Sequence, residues 1–216
     1  MRIEGSGIES ISRRVRVGVT GHRKLDDPAA VEALVKRAID AEIEGLLAED
    51  ARRKMEHARR AGTAAISFSV VSSLAEGADR VVARAVLSYP DARLEAVLPM
   101  IVEDFMEDFA TEASRKEFAE LLSQCSEPVV LRTRRIRDDC SDAEGLAELR
   151  RDAYALAGRF VVDHCDVLIA VWDGEPERGG GGTAEIVQYA LGQNRPVLCM
   201  WDGRFEVLNR GIHTGR

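Results

Sequence analysis

The chain is poor in aromatic residues and carries no excess of positive charge. Aromatic side chains make up only 5% of its 216 residues, and the formal net charge is -7. Proteins that hold nucleic acid by neutralising phosphates and stacking bases have the opposite composition. A general affinity for nucleic acid is therefore not expected, and any anion site has to be local.

Cysteines are also scarce and scattered. The four of them lie at positions 125, 140, 165 and 199, and none belongs to a C-x-x-C pair. Structural zinc sites use such close spacing, so no metal site is expected. Cys165 and Cys199 lie in apolar contexts, where free cysteine packs as a small hydrophobe, which makes a disulfide framework the less favoured interpretation.

Long apolar runs are missing. The longest, at residues 167–172, is far shorter than the ~20 residues that cross a bilayer. Residues 1–14 are polar and lack the apolar core of a secretory signal. These features predict a cytoplasmic protein without a membrane partner.

Hydrophobic periodicity indicates an α/β protein. Predicted strands at residues 15–20, 66–71, 94–98, 129–131, 166–172 and 196–201 alternate with predicted helices at residues 29–48, 76–87, 144–163 and 183–192. Such alternation is typical of a parallel sheet covered on both faces. We expect a Rossmann-like three-layer fold with a mainly parallel central sheet, formed by one domain at residues 15–201 between a polar tail, 1–14, and a C-terminal tail, 202–216.

Ligands of open α/β sheets bind beyond the carboxyl ends of the strands, so the loops there are the candidate site. In the first loop, Gly21 would let the backbone approach a ligand, and Thr20 and Arg23 could donate hydrogen bonds to phosphate oxygens. An ordinary tight turn is the alternative. The neighbouring His22 and Arg23 favour the anion site.

The second loop, residues 72–80, opens the next predicted helix. Ser72 or Ser73 could cap that helix with Glu76 in its first turn. Gly77 is unfavourable inside a helix unless it packs closely against a backbone or a ligand. Asp79 could bind a ribose hydroxyl or hold Arg23, and Arg80 could equally be a surface residue.

The third loop follows the apolar strand at residues 166–172. Its four consecutive glycines precede a helix, so backbone N–H groups and a helix N-terminus could cradle an anion. The alternative is a flexible loop in which Thr183 caps the helix and Glu185 complements its dipole. Asp173 could bind a hydroxyl or merely start a turn. The candidate residues of this loop are Asp173, Gly174, Gly180, Gly181, Gly182 and Thr183.

Several well-known motifs are not present. The glycines do not spell G-x-x-x-x-G-K-[ST], the first loop does not spell G-x-G-x-x-G, and no serine lies in a G-x-S-x-G elbow. A triphosphate P-loop, a standard NAD site and ordinary serine hydrolase chemistry are therefore not supported. No cofactor is predicted.

Taken together, the three loops resemble the SLOG superfamily, the Rossmann-like group that joins DNA-processing protein A with the Lonely Guy phosphoribohydrolases. The resemblance covers about residues 15–200. V-S-S-L-A-E-G-A-D, residues 71–79, is similar to S-G-x-A-x-G-x-D with Ser73 in place of its glycine, and G-G-G-T, residues 180–183, is similar to G-G-x-G-T.

This resemblance implies a parallel-sheet fold, nucleotide-like ligands and frequent homodimers. In the phosphoribohydrolases the same element continues as P-G-G-x-G-T-x-x-E. This chain has Ile186 at the position of the glutamate in that motif, and Glu185 stands one position earlier. An apolar side chain cannot stabilise an oxocarbenium-like centre, so hydrolysis of an N-glycosidic bond is not implied.

Three functional hypotheses follow. The first is binding or sensing of a nucleotide or nucleotide-derived ligand, with phosphate at residues 179–183, ribose near Asp79 or Asp173, and Thr20 and Arg23 closing the site. The second is a nucleotide N-glycosidic hydrolase, of phosphoribohydrolase or deoxyribosyltransferase type, that uses Glu185 as its catalytic carboxylate. The third and least favoured is single-stranded DNA binding through the arginines of residues 52–60 or 132–137.

Overall fold

A computed structural model of the protein describes residues 11–46, 64–175 and 182–209. They form a seven-stranded sheet in the order β4-β3-β2-β1-β5-β6-β7, in which β7 alone is antiparallel to its neighbour. The strands are β1 (Ile11–Gly21), β2 (Ala64–Ser72), β3 (Arg93–Leu98), β4 (Val129–Val130), β5 (Val167–Val171), β6 (Val197–Trp201) and β7 (Arg204–Asn209). The predicted α/β Rossmann-like fold with a mainly parallel sheet is confirmed.

Helices cover both faces of this sheet. They are α1 (Pro28–Leu46), α2 (Ala78–Leu87), α3 (Val102–Met106), α4 (Glu112–Leu122), α5 (Ile136–Asp139), α6 (Ala143–His164) and α7 (Thr183–Gly192). Alternate residues of β5 belong to different cores. Val167 and Ile169 pack in a core with α1 and α2, whereas Leu168 and Ala170 pack in a second core with α7. The apolar run in β5 thus reflects burial on both faces.

The strand bounds differ from the predicted ones at both ends of the described chain. Strand β1 begins at Ile11, inside the predicted polar tail, because it pairs with β2 from Ile11 onward. Strand β7 lies in the predicted C-terminal tail, where Phe205 and Val207 alternate with polar residues and pack against the larger core. This period of two is a strand signal that the sequence analysis missed. Residues 1–10 and 210–216 lie outside the described ranges.

Polar side chains join four strands near the amino ends of β3 and β5. The carboxylate of Asp166 accepts a hydrogen bond from the backbone amide of Arg16 at 2.8 Å. The Arg16 guanidinium in turn pairs with Glu95, which also accepts from Ser69 Oγ at 2.6 Å. Although burial alone would raise the pKa of Glu95, the bonds from Arg16 and Ser69 hold it below its ordinary value. We call these contacts the amino-edge ladder. They connect the strands at the edge of the sheet opposite the candidate site.

Candidate functional site

The strand order places a topological switch point between β1 and β5. From β1 the chain proceeds to β2, β3 and β4 on one side, and β5, β6 and β7 lie on the other. Ligands of open α/β sheets bind in the crevice at such a point. The loops after β1 and β5 are therefore the two that flank the expected crevice.

The first loop is tightly held by its neighbours. Thr20 is nearly buried, and Gly21 ends β1 at a point where an added Cβ would lie 2.5 Å from Ala78 Cβ. The backbone amide of His22 donates to Val171 O at 3.1 Å. Gly21 thus permits close backbone packing between β5 and the start of α2.

Gly77 packs against the same loop. Its φ is +79°, and an added Cβ would lie 2.4 Å from the carbonyl oxygens of both His22 and Arg23. The prediction that close backbone packing explains this glycine is confirmed. The predicted first helical turn and serine cap are wrong, because α2 begins at Ala78, its N-cap is Gly77 and no side chain caps it.

Asp79 is buried beneath the second loop. Its carboxylate accepts hydrogen bonds from Ser72 Oγ and Ala75 N, both at 3.3 Å. Burial raises its pKa to about 6, although these bonds, the amide of Ser73 and the charge of Arg23 act in the opposite direction. Asp79 therefore braces the loop, and the geometry gives no support to a ribose contact.

Arg80 is not a surface residue. It is 2% exposed, donates to Leu74 O at 3.0 Å and pairs with Glu117 of α4 at 2.9 Å. Its guanidinium also lies over the ring of Phe109, 4.5 Å from the centroid. One nitrogen, Nη2, is buried without a hydrogen-bond partner among the described residues.

Arg23 lies on the same side of the first loop. Its guanidinium is 4.7 Å from the ring centroid of Tyr154 on α6, whose hydroxyl bonds to Asp108. Burial and that hydrogen bond raise the pKa of Tyr154, so the ring stays neutral beneath the cation. Tyr154 thus supports Arg23 at the rim.

The two arginines share a cleft of about 510 Å³. We call it the arginine cleft. Its walls come from the first loop, the start of α2 and α4, and it is lined by Arg23, Glu76, Gly77, Arg80, Thr111, Ala113, Ser114 and Glu117. Glu76 bonds to Ser114 Oγ, and Glu117 is shared by Arg80 and Arg84. Both carboxylates are thus already engaged by protein groups.

His22 and Asp173 meet across the switch point. Nε2 of His22 lies 3.3 Å from Oδ1 of Asp173, within ion-pair distance but without the alignment of a hydrogen bond. The amide of Glu175 donates to Oδ1 of Asp173 at 3.0 Å, and this bond, together with His22, lowers the pKa of that carboxyl. An ionised, half-exposed Asp173 at this position can accept from a ligand hydroxyl.

The third loop is described only in part. Gly180 and Gly181 fall within residues 176–181, outside the described ranges, so the predicted anion cradle has no structural account there. Gly174 has a φ of +85°, and Gly182 is the N-cap of α7. The alternative in which Thr183 caps the helix is wrong, because Thr183 is the buried first residue of α7.

Glu185 and Ile186 both face α6. Oε1 of Glu185 lies 2.7 Å from Nη2 of Arg159. Ile186 is 2% exposed, and an added Cβ on Gly158 would lie 2.5 Å from its Cδ1. The position that holds the phosphoribohydrolase glutamate in the resembled pattern is therefore part of a helix–helix contact here.

Sequence reasoning missed four residues of this region. Ser114 and Glu117 come from α4, Tyr154 comes from α6, and Trp201 ends β6 beside His22. Trp201 follows an apolar strand, so the rule that ligands lie at carboxyl ends of strands could have found it. The other three come from helices remote in sequence and had no local signal.

No family model matches this chain, and no curated protein matches it. Within residues 11–46, 64–175 and 182–209, no helix is both long and apolar enough to span a bilayer. The same residues hold no group of three or more histidine, cysteine or acidic side chains placed to bind a metal ion.

Proposed function

We propose that this protein binds or senses a nucleotide or nucleotide-derived ligand at the carboxyl edge of its sheet. The observation that carries the proposal is the arginine cleft, where Arg23 and Arg80 line one cavity between the first loop, the start of α2 and α4. Nη2 of Arg80 is buried without a hydrogen-bond partner among the described residues, which is costly, and a phosphate oxygen that reached it would relieve that cost.

The phosphate of such a ligand interacts with these arginines. Guanidinium groups match phosphate oxygens in geometry and charge, and Arg80 is held in one orientation by Leu74 and Phe109. The N-terminus of α7, where Gly182 is the N-cap, provides further N–H donors in this proposal. Asp173, with its lowered pKa, accepts a ribose hydroxyl.

Binding is favoured over hydrolysis of the N-glycosidic bond. Glu185, the carboxylate that the hydrolase hypothesis requires, is paired with Arg159 on α6. Ile186 is buried between α6 and α7 and carries no charge. The proposal therefore assigns the chain a nucleotide-recognition function. It also carries over what the SLOG resemblance and the polar N-terminal residues led us to expect, namely a cytoplasmic protein that forms homodimers.

A thermal-shift and calorimetric panel tests this proposal. The panel contains AMP, GMP, CMP, UMP, ADP-ribose and cyclic nucleotides, and at least one is expected to raise the melting temperature of the wild type. Arg23→Ala should weaken its binding by roughly tenfold or more, the value of one charge-assisted hydrogen bond. Arg93→Ala is the matched control, because Arg93 is exposed at the amino end of β3.

Two results would overturn the proposal. One is that no member of the panel binds the wild type. The other is that Arg93→Ala weakens binding as much as Arg23→Ala, since a distant charge would then matter as much as one in the cleft.

A further inference from the structure

A second pocket lies on the other side of the first loop, next to α1. Its volume is about 280 Å³, and it is bounded by the loop at residues 22–27 and by the β6–β7 turn. Three of its lining residues, Leu34, Val171 and Met200, are buried apolar side chains. Its floor is therefore hydrophobic, in contrast to the arginine cleft.

Trp201 forms a wall of this pocket. It is 50% exposed, although the preceding residues of β6 are buried. Its ring meets that of His22 nearly edge-on, with centroids 5.9 Å apart and planes at 74°. An exposed aromatic face beside an apolar floor is a stacking platform for another flat ring.

The rim of the pocket disfavours phosphate. It carries three carboxylates, Asp26, Asp27 and Asp202, against one ammonium group, Lys24. Its volume is also slightly below the roughly 300–1,000 Å³ of pockets that hold drug-sized ligands. The pocket therefore suits one uncharged planar ring system and not a whole nucleotide.

We infer that this pocket is the base subsite of the nucleotide site, in which a nucleobase stacks on Trp201 and is bounded by the edge of His22. The inference rests on the proposed function, because it assigns the phosphate of the same ligand to the arginine cleft. His22 links the two halves of the site, since its carbonyl oxygen packs against Gly77 and its ring lines the pocket.

Calorimetry with the intact chain tests the base subsite. The probes are ribose 5-phosphate and whichever of AMP, GMP, CMP and UMP binds the wild type most tightly. Trp201→Ala should weaken the nucleotide about tenfold or more while leaving ribose 5-phosphate within about twofold, and Trp201→Phe should restore most of the loss. Leu208→Ala, at another exposed apolar residue, should change neither probe.

Tryptophan fluorescence provides an independent readout. The chain has two tryptophans, and Trp172 is buried with Nε1 donating to Glu175 O at 2.9 Å. The nucleotide should quench the wild type, and this quenching should disappear in Trp201→Phe.

Each contrary outcome has a distinct meaning. Unchanged nucleotide affinity in Trp201→Ala, or a parallel loss of ribose 5-phosphate, overturns the base subsite and leaves the proposed function standing. Failure of every nucleotide to bind the wild type overturns both.

Discussion

The carbonyl oxygen of His22 accepts a hydrogen bond from Ala78 N at 3.0 Å and leaves no room for a side chain at Gly77. Gly77→Ala would place a methyl group 2.4 Å from that oxygen at a φ of +79°. We expect a loss of about 3 kcal/mol in the free energy of unfolding, since strain and overpacking each cost a few kcal/mol. Urea denaturation measures this loss.

Gly192→Ala is the matched control for Gly77→Ala. Gly192 ends α7, and an added Cβ there meets nothing within 4 Å. Alanine should leave stability unchanged or raise it by up to about 1 kcal/mol. An equal loss of unfolding free energy in both variants would show that the close packing of Gly77 against the first loop does not stabilise the fold.

Arg80 and Arg84 share Glu117 but differ in burial. Arg80 is 2% exposed and also bonds to Leu74 O, whereas the side chain of Arg84 is 38% exposed. Arg80→Met should therefore cost about 2–3 kcal/mol of unfolding free energy, and Arg84→Met less than about 1 kcal/mol. Chemical denaturation of the two variants measures the difference, and similar costs would contradict the structural role assigned to Arg80.

Asp79 should make stability depend on pH. The folded protein holds its proton up to about pH 6, against an ordinary pKa of 3.8, so the folded state binds more protons between these values. Stability conferred by this group is thus lost as the pH rises from about 4 to about 6, by about 3 kcal/mol in total.

Asp79→Asn removes this titration. From pH 4 to pH 7, the unfolding free energy of the wild type measured in urea should fall by about 2–3 kcal/mol relative to that of Asp79→Asn. A difference that stays constant across this range would show that Asp79 titrates normally.

Ile186→Glu tests the position that distinguishes this chain from the phosphoribohydrolase pattern. A carboxylate placed against Gly158 would be buried in an apolar helix–helix contact, so we expect a loss of several kcal/mol in the free energy of unfolding. Ile186→Val should cost about 1 kcal/mol. Thermal unfolding compares the two variants, and a well-folded Ile186→Glu would contradict the buried position.

Glu185→Gln tests the catalytic alternative directly. In the recognition proposal, neither the wild type nor this variant releases a free base from nucleoside monophosphates, as followed by chromatography. Base release by the wild type that disappears in Glu185→Gln would favour the hydrolase over the recognition function.

The repeating pattern of apolar residues was enough to predict the parallel sheet, the start of α1 to within one residue and both ends of α7. It failed at Gly77, where a left-handed residue interrupts a stretch whose composition continues the helical pattern, because tertiary packing against His22 decides the helix start. Burial of Arg80 was equally hidden, since its partners Ser114 and Glu117 lie more than 30 residues away. The sequence was enough to find the loops, but contacts between elements distant in sequence determine which side chains line the arginine cleft.

The amino-edge ladder has a consequence for the evolution and engineering of this fold. Arg16 connects β1 to Glu95 of β3 and to Asp166 just before β5, at the edge of the sheet opposite the candidate site. We therefore expect sequence changes in the loop after β5 to disturb the pairing of β1 with β5 less than changes at Asp166 or Arg16 would. In this molecule, the polar contacts between strands and the candidate site lie at opposite ends of the same strands.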